Sequence, residues 1–144
     1  MKIKVIYADL LDDEVEIRIN KNNQRLKDIK QYVENINRSR LVFYKNELKV
    51  FVDISEIIFF ETEFDWISAH TIDNVYKVRY RLYELEKMLP VYFKRVSKST
   101  IVNKNQIYAI NKNITQPGVI IFKNTHKKTY ISRMYYKLLK EEFK

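Results

Sequence analysis

The sequence predicts an α+β chain that is mainly β, and three features predict it. Short segments with period-two alternation outnumber every other pattern, polar turn residues separate them, and only three stretches carry apolar residues at helical spacing. Residues 2–7 alternate with Ile3, Val5 and Tyr7 on one side, and residues 14–19 set Val15, Ile17 and Ile19 against Glu14, Glu16 and Arg18. With Asp12-Asp13 between them, two strands are expected. Leu26, Ile29, Val33 and Ile36 then recur at helical spacing, Lys27, Lys30, Glu34 and Asn37 face away, and Asn22 or Asn23 supplies an N-cap. Residues 1–40 therefore read as a strand–strand–helix module ahead of a β-rich unit over 41–144.

In that second unit, residues 41–45 and 48–52 flank Asn46-Glu47, a hairpin-like turn. The continuous apolar run 57–62 suits a buried strand. Strands at 66–71 and 75–80 are separated by Ile72-Asp73-Asn74, whose Asp-Asn pair is turn chemistry. Leu82, Leu85 and Leu89 share one face of a helix that Pro90 stops. Further strands are expected near 93–97, 100–102, 106–110, 118–123 and 127–131, with turns at Gln116-Pro117-Gly118 and Lys123-Asn124-Thr125. Ser132 caps a last helix, with Tyr135, Leu138 and Leu139 inward and Lys137 and Lys140 outward.

Composition removes several chemistries. The chain has 144 residues, enough for one domain with a short appended module, and 46% of them are hydrophobic, enough for a sizeable core. Without cysteine there is no disulfide and no thiolate ligand or nucleophile. A single glycine leaves no phosphate-cradling loop, since those need several. His70 and His126 stand at no metal-ligand spacing and read as surface or strand-edge residues, so no metal or cofactor is expected. Lys2 and Lys4 interrupt the segment where a signal peptide needs an apolar run, and no stretch has the length of a membrane span. The expected location is the cytoplasm.

The formal charge of +9 is unevenly spread. The balance is +2 over residues 1–48, −3 over 49–90, +11 over 91–140 and −1 over 141–144. Residues 91–140 hold 11 basic side chains and no acidic one. Such a one-signed field is the footprint of a polyanion partner. Compositional drift toward Lys, Asn, Ile and Tyr is the competing reading, but drift does not explain why acids stop at Glu86.

Four runs carry a family resemblance. They are Ile57-Ile58-Phe59-Phe60-Glu61, Tyr76-Lys77-Val78-Arg79-Tyr80-Arg81-Leu82-Tyr83-Glu84-Leu85-Glu86, Phe93-Lys94-Arg95-Val96-Ser97-Lys98-Ser99-Thr100-Ile101-Val102-Asn103, and the ending Tyr130-Ile131-Ser132-Arg133-Met134-Tyr135-Tyr136-Lys137-Leu138-Leu139-Lys140. In this order and spacing, over about 45–142, the chain resembles the LytTR DNA-binding domains. The resemblance implies an elongated arrangement of small antiparallel sheets with one inserted helix and a C-terminal helix. It also implies a sequence-specific transcription regulator, not an enzyme, whose loops enter successive major grooves of duplex DNA.

The site residues implied by the resemblance are Arg95, Lys98, Asn103, Lys104, Asn105, Ser132 and Arg133. Arg133 follows a capping serine and projects from the first turn of a helix, where free N–H groups favour phosphate and a guanidinium can take guanine O6 and N7. Ser132 either caps only or also bonds a backbone oxygen. Asn103, Lys104 and Asn105 form a polar turn after an apolar strand; an asparagine there can read adenine or contact phosphate, Asn103 matches the family position, and Lys104 adds a point charge. The competing reading is an ordinary turn that uses Asn for its backbone tolerance. Lys98 lies in the basic signature, and Arg95 there is either a contact or a structural ion-pair residue. Ser97 stands where many members carry histidine, so that contact is not carried over. The third recognition loop of some relatives falls on Thr62-Glu63-Phe64-Asp65-Trp66, which is acidic and aromatic, and is not carried over either. Trp66 there reads as a core or strand-edge residue.

Residues 1–40 are too short for the receiver domain that usually precedes this unit, so a stand-alone regulator is expected. The front module completes the core or forms a dimer contact, and a homodimer on repeated promoter half-sites is the expected assembly. No membrane and no small-molecule ligand is implied. The alternatives are an RNA-binding β-domain, which needs aromatics exposed on a sheet, and a basic scaffold protein, which lacks a polybasic tail.

Overall fold

A computed structural model describes residues 17–36, 41–112 and 117–142. The strand expected at 2–7 and the first half of the one expected at 14–19 lie outside these residues, and residues 17–19, which are described, form no strand. The first described element is helix α1 (Leu26–Ile36), at the place its apolar spacing predicts. The Asn23 carboxamide accepts from the Arg25 N–H at 2.9 Å just ahead of it.

Two antiparallel sheets follow. The larger joins β1 (Phe43–Lys45), β2 (Leu48–Val50), β3 (Phe59–Glu63), β4 (Trp66–His70), β5 (Val75–Val78), β6 (Phe93–Ser97) and β7 (Thr100–Asn103), in the order β2-β1-β5-β4-β3-β7-β6. The smaller joins β8 (Ile107–Asn111), β9 (Gly118–Phe122) and β10 (Lys128–Ile131), in the order β10-β9-β8. Helix α2 (Leu82–Met88) is inserted between β5 and β6, and α3 (Arg133–Glu142) closes the chain. The expected α+β class, mainly β, is what forms.

The apolar run at 57–60 is explained by burial on both sides. Phe60 lies across from Ala69 and Ile101, and packs with Leu82, Leu85 and Leu89 of the α2 segment. Its neighbour Phe59 points the other way, with Val96 and Val102, into a second core closed by Ile120, Phe122, Ile131 and Leu139. Successive side chains of a strand face opposite sides, so a strand between two cores needs apolar residues at every position. The layers are therefore α2, the large sheet, and then the small sheet with α3.

Turn geometry follows residue type. Asn46 and Glu47 both have positive φ (49° and 67°), the twist that lets a two-residue turn join β1 to β2. Asn124 takes φ 57° between β9 and β10. The small sheet is tied to the β4–β5 turn by the Lys127 ammonium, which donates to the Thr71 and Asn74 carbonyls at 2.9 Å each, and by Thr125, whose hydroxyl donates to the Ile72 carbonyl at 3.1 Å.

One sequence expectation is corrected, on α3, and one is given its reason. Gly118 opens β9, as the strand expected at 118–123 has it, and a Cβ there would lie 2.8 Å from Ile131 Cγ2. Close strand packing, not a turn, asks for glycine. On α3 the inward side chains are Tyr135, Tyr136 and Leu139, whereas Leu138 is 64% exposed. At about 100° per residue Leu138 sits a quarter-turn from Leu139, beyond the stripe that the core can reach.

Candidate nucleic-acid interface

The seven predicted site residues fall into two groups, at opposite ends of the short strand β7. Ahead of it, Lys98 and Ser99 form the turn from β6, and beyond it Lys104–Gln106 form a single 3₁₀ turn. At about 3.3 Å per residue these turns are separated by roughly 17 Å.

At the first end, Arg95 is the scaffold. Its Nε donates to the Ser97 carbonyl at 2.7 Å, Nη2 donates to the Lys98 carbonyl, and Nη1 donates to Glu86 Oε2 at 2.8 Å. The Ser97 hydroxyl also accepts from the Ser99 N–H at 3.2 Å. Of the two roles expected for Arg95, the ion-pair role is the one its geometry performs, and its fork holds the turn that lifts Lys98 into solvent. Lys98 is exposed, and its ammonium has no partner among the described residues.

The start of α3 lies beside this turn, because the Ser132 N–H donates to the Val96 carbonyl at 2.9 Å. Ser132 caps the helix, its hydroxyl accepting from the Tyr135 N–H at 3.4 Å. Arg133, the first helical residue, is exposed and without a hydrogen bond or ion pair among the described residues. The strand register brings Lys112 to the same end: Asn111 pairs with Val119, and Gly118 with Ile131. Lys112 is exposed, with its ammonium 4.8 Å from the Tyr136 ring centroid. Sequence reasoning did not single it out, although it stands in the acid-free stretch.

The β3–β4 turn, Phe64-Asp65, also belongs to this end, since the Thr62 N–H donates to the Ser99 carbonyl at 2.8 Å. Phe64 has φ 53° and is 94% exposed. Trp66 is half-buried at the start of β4, with Phe64 5.8 Å away and the Lys77 ammonium 4.5 Å from its ring centroid, as suits a strand-edge residue.

At the second end the expected base reader is turned inward. Asn103 is 1% exposed; its Nδ2 donates to the Ile57 carbonyl at 3.0 Å and its Oδ1 accepts from the Asn105 N–H at 3.0 Å. Both ends of the Asn103 carboxamide are thus used inside the fold, joining β7 to the segment before β3. Lys104 is paired with Glu142 at 3.2 Å, and Glu142 also holds Lys94 at 3.1 Å. Burial opposes ionisation of Glu142, but the two ammonium groups outweigh it and hold the carboxyl below its usual range. Asn105 is exposed, and its carbonyl accepts from Lys123 at 3.0 Å.

Another grouping was invisible in the sequence. Glu61 and Glu63 share a face of β3, and His70 on β4 brings its Nε2 to 3.9 Å from Glu63 Oε1. The His70 ring stacks on Phe59 with centroids 4.2 Å apart. Burial, and then the Lys127 charge, push its pKa down to about 4 against the pull of Glu63, so the imidazole is neutral near pH 7. Burial, and then the Glu63 charge, push the Glu61 carboxyl up.

Comparison with known proteins supplies the family. The family model of the LytTr DNA-binding domain matches residues 47–144. Two Staphylococcus aureus proteins, from strains NCTC 8325 and bovine RF122, are 36% identical over 146 residues, covering 98% of this chain and 97% of theirs. Both bear the name HTH-type transcriptional regulator. A solved structure, the LytTr DNA-binding domain of a methyl-accepting/DNA response regulator from Bacillus cereus, shares the fold at a TM-score of 0.66 and 21% identity, over 73% of this chain and 98% of that one. A helix-turn-helix needs two helices joined by a turn of three or four residues. Among the described residues strands separate all three helices.

Proposed function

The chain belongs to the LytTr DNA-binding domain family, and we propose that it reads duplex DNA with one end of its fold, through the Lys98-Ser99 turn and the start of α3. It is a DNA-binding transcription regulator. The observation that carries the proposed reading surface is the grouping of Lys98, Lys112 and Arg133, three exposed cations, at the end where the helix offers free N–H groups. Lys98 and Lys112 supply phosphate contacts. Arg133 has the fork geometry that can take a guanine edge in the major groove, and Ser132 holds the turn from which it projects. Arg95 acts through the turn it fixes. Asn103 positions Lys104 and Asn105, and the Glu142 pairing keeps Lys104 from being a principal contact.

A pair of chains on repeated promoter half-sites accounts for how so small a reading surface attains specificity, since single modules bury little area on DNA. Residues 1–40 then serve as a separate module that extends the core or joins two copies. The proposed location is the cytoplasm. No helix among the described residues is long and apolar enough to cross a membrane.

The test is selection of bound sequences from random duplex DNA at two salt concentrations. Enrichment of one motif is expected; equal binding of all sequences, or preference for single-stranded RNA, overturns the reading. Lys98→Ala should flatten the slope of log affinity against log salt by about one unit. Arg133→Ala should relax base preference, and Lys104→Ala should do neither. If Lys104→Ala alone changes binding, the reading surface lies at the other end.

A further inference from the structure

The β3–β4 hairpin draws together three potential ligand atoms. Glu61 and Glu63, two residues apart, project from the same face of β3, and His70 lies opposite Phe59 on β4. One imidazole nitrogen and two carboxylate oxygens lie within 4.8 Å of one another. Tetrahedral ligands at about 2.0–2.1 Å from zinc are roughly 3.4 Å apart, so an inward shift of about an ångström closes the three on one ion.

The histidine gives the independent observation. Both of its ring nitrogens are closed to solvent and have no hydrogen-bond partner among the described residues. A buried polar atom in a native structure normally has a partner, and an ion is one of the few explanations for an orphan. Stacking on Phe59 fixes the ring plane, which removes the rotational entropy a ligand otherwise loses on coordination. The surroundings are charged on both sides: Lys127 lies toward the ring, and Lys77 projects over Trp66. Lys127 is itself committed to the Thr71 and Asn74 carbonyls and does not neutralise the two glutamates. Glu61 and Glu63 stand side by side on that face, close enough to His70 for one ion to join all three.

We propose that Glu61, Glu63 and His70 bind one divalent transition-metal ion at the base of the hairpin that ends in Phe64-Asp65. An imidazole with two carboxylates suits zinc, manganese or ferrous iron, and the nitrogen ligand disfavours magnesium and calcium, which take all-oxygen shells. The remaining coordination positions go to water. The site stands beside the proposed DNA-reading end but does not depend on it, and its test needs no DNA.

The full chain is titrated with zinc chloride near neutral pH by calorimetry, alongside thermal melts with and without the ion. One ion per chain and a rise in Tm are expected. His70→Ala and Glu63→Gln should each weaken binding by more than the roughly 10–100-fold that loss of an outer-shell partner costs. His126→Ala should change nothing. Glu63→Gln alters a half-exposed residue at the end of a strand, so it reports even if His70→Ala fails to fold. Cobalt(II) in place of zinc should give the visible absorption of a low-coordinate nitrogen–oxygen site. Absence of saturable binding, binding that survives Glu63→Gln, loss of binding in His126→Ala, or magnesium binding as tight as zinc each overturns the proposal.

Discussion

Asn103 separates the sequence expectation from the structure most sharply, and Asn103→Ala decides between them. In the fold the side chain donates to the Ile57 carbonyl and accepts from the Asn105 N–H, each at 3.0 Å, at 1% exposure. Alanine leaves a buried carbonyl without its donor, which costs about 1–3 kcal/mol. It also removes the side-chain cap of the 3₁₀ turn, for about 1 kcal/mol more. A loss of about 2–4 kcal/mol in a chain of this size lowers Tm by roughly 6–12 °C. The assay pairs thermal denaturation followed by circular dichroism with DNA affinity measured well below both transitions. A positioning role predicts the full Tm loss and an affinity within about twofold of the parent; Asn103→Asp should be at least as unstable, since a carboxylate faces a carbonyl oxygen. Lys98→Ala is the mirror case, with a stability change within about 0.5 kcal/mol and weakened binding. An unchanged Tm together with a tenfold or greater affinity loss in Asn103→Ala would refute the burial argument and restore the base-reading role.

Three further substitutions test local geometry. Phe64→Gly relieves a left-handed backbone that costs a non-glycine residue about 1 kcal/mol and gives up little packing at 94% exposure, so Tm should rise by about 3 °C in a thermal melt. Gly118→Ala sets a Cβ 2.8 Å from Cγ2 of the buried Ile131, a branch next to the backbone that cannot swing aside. Overpacking of this kind costs about 1–3 kcal/mol, read as a Tm decrease of roughly 3–9 °C. Glu142→Gln tests the bridge from α3 to Lys94 and Lys104. Because the folded carboxyl is held below its ordinary value of 4.5, its stabilisation is complete above that pH and is lost as pH falls through the folded value. Parent and variant melts should therefore differ near pH 7 and converge in acid.

Most of the fold was legible because period-two segments and turn chemistry are local. The 57–60 run, the Asn46-Glu47 hairpin, the Leu82–Leu85–Leu89 face and the Ser132 cap each follow from residues close in sequence. What stayed hidden depends on what packs against what. Leu138 and Tyr136 are near-equivalent candidates for the inward stripe until the position of β6 against α3 is known. Why the strand at 118–123 opens on glycine is not visible until Ile131 is found against it. The Glu61, Glu63 and His70 grouping exists only after β3 and β4 pair in register, which leaves no mark as a linear motif.

The same limit applies to charge. The 11 basic residues between 91 and 140 look equivalent in the sequence, yet the fold assigns them different work. Lys94 and Lys104 close on Glu142, Arg95 on Glu86, and Lys123 and Lys127 on backbone carbonyls. These five brace the contacts between strands, helix and turns, so their charges are partly neutralised or tied to the frame. Lys98, Lys112 and Arg133 remain exposed at one end, whereas Lys128 begins β10 at the other and Lys137 and Lys140 lie along α3. A net charge attracts a polyanion from any side, but three exposed cations grouped at one end, against scattered ones elsewhere, give the encounter a direction. Glu63 and Asp65 border that end, so on the proposed reading surface a phosphate backbone lies toward α3 and the Lys98 turn and away from the β3–β4 hairpin.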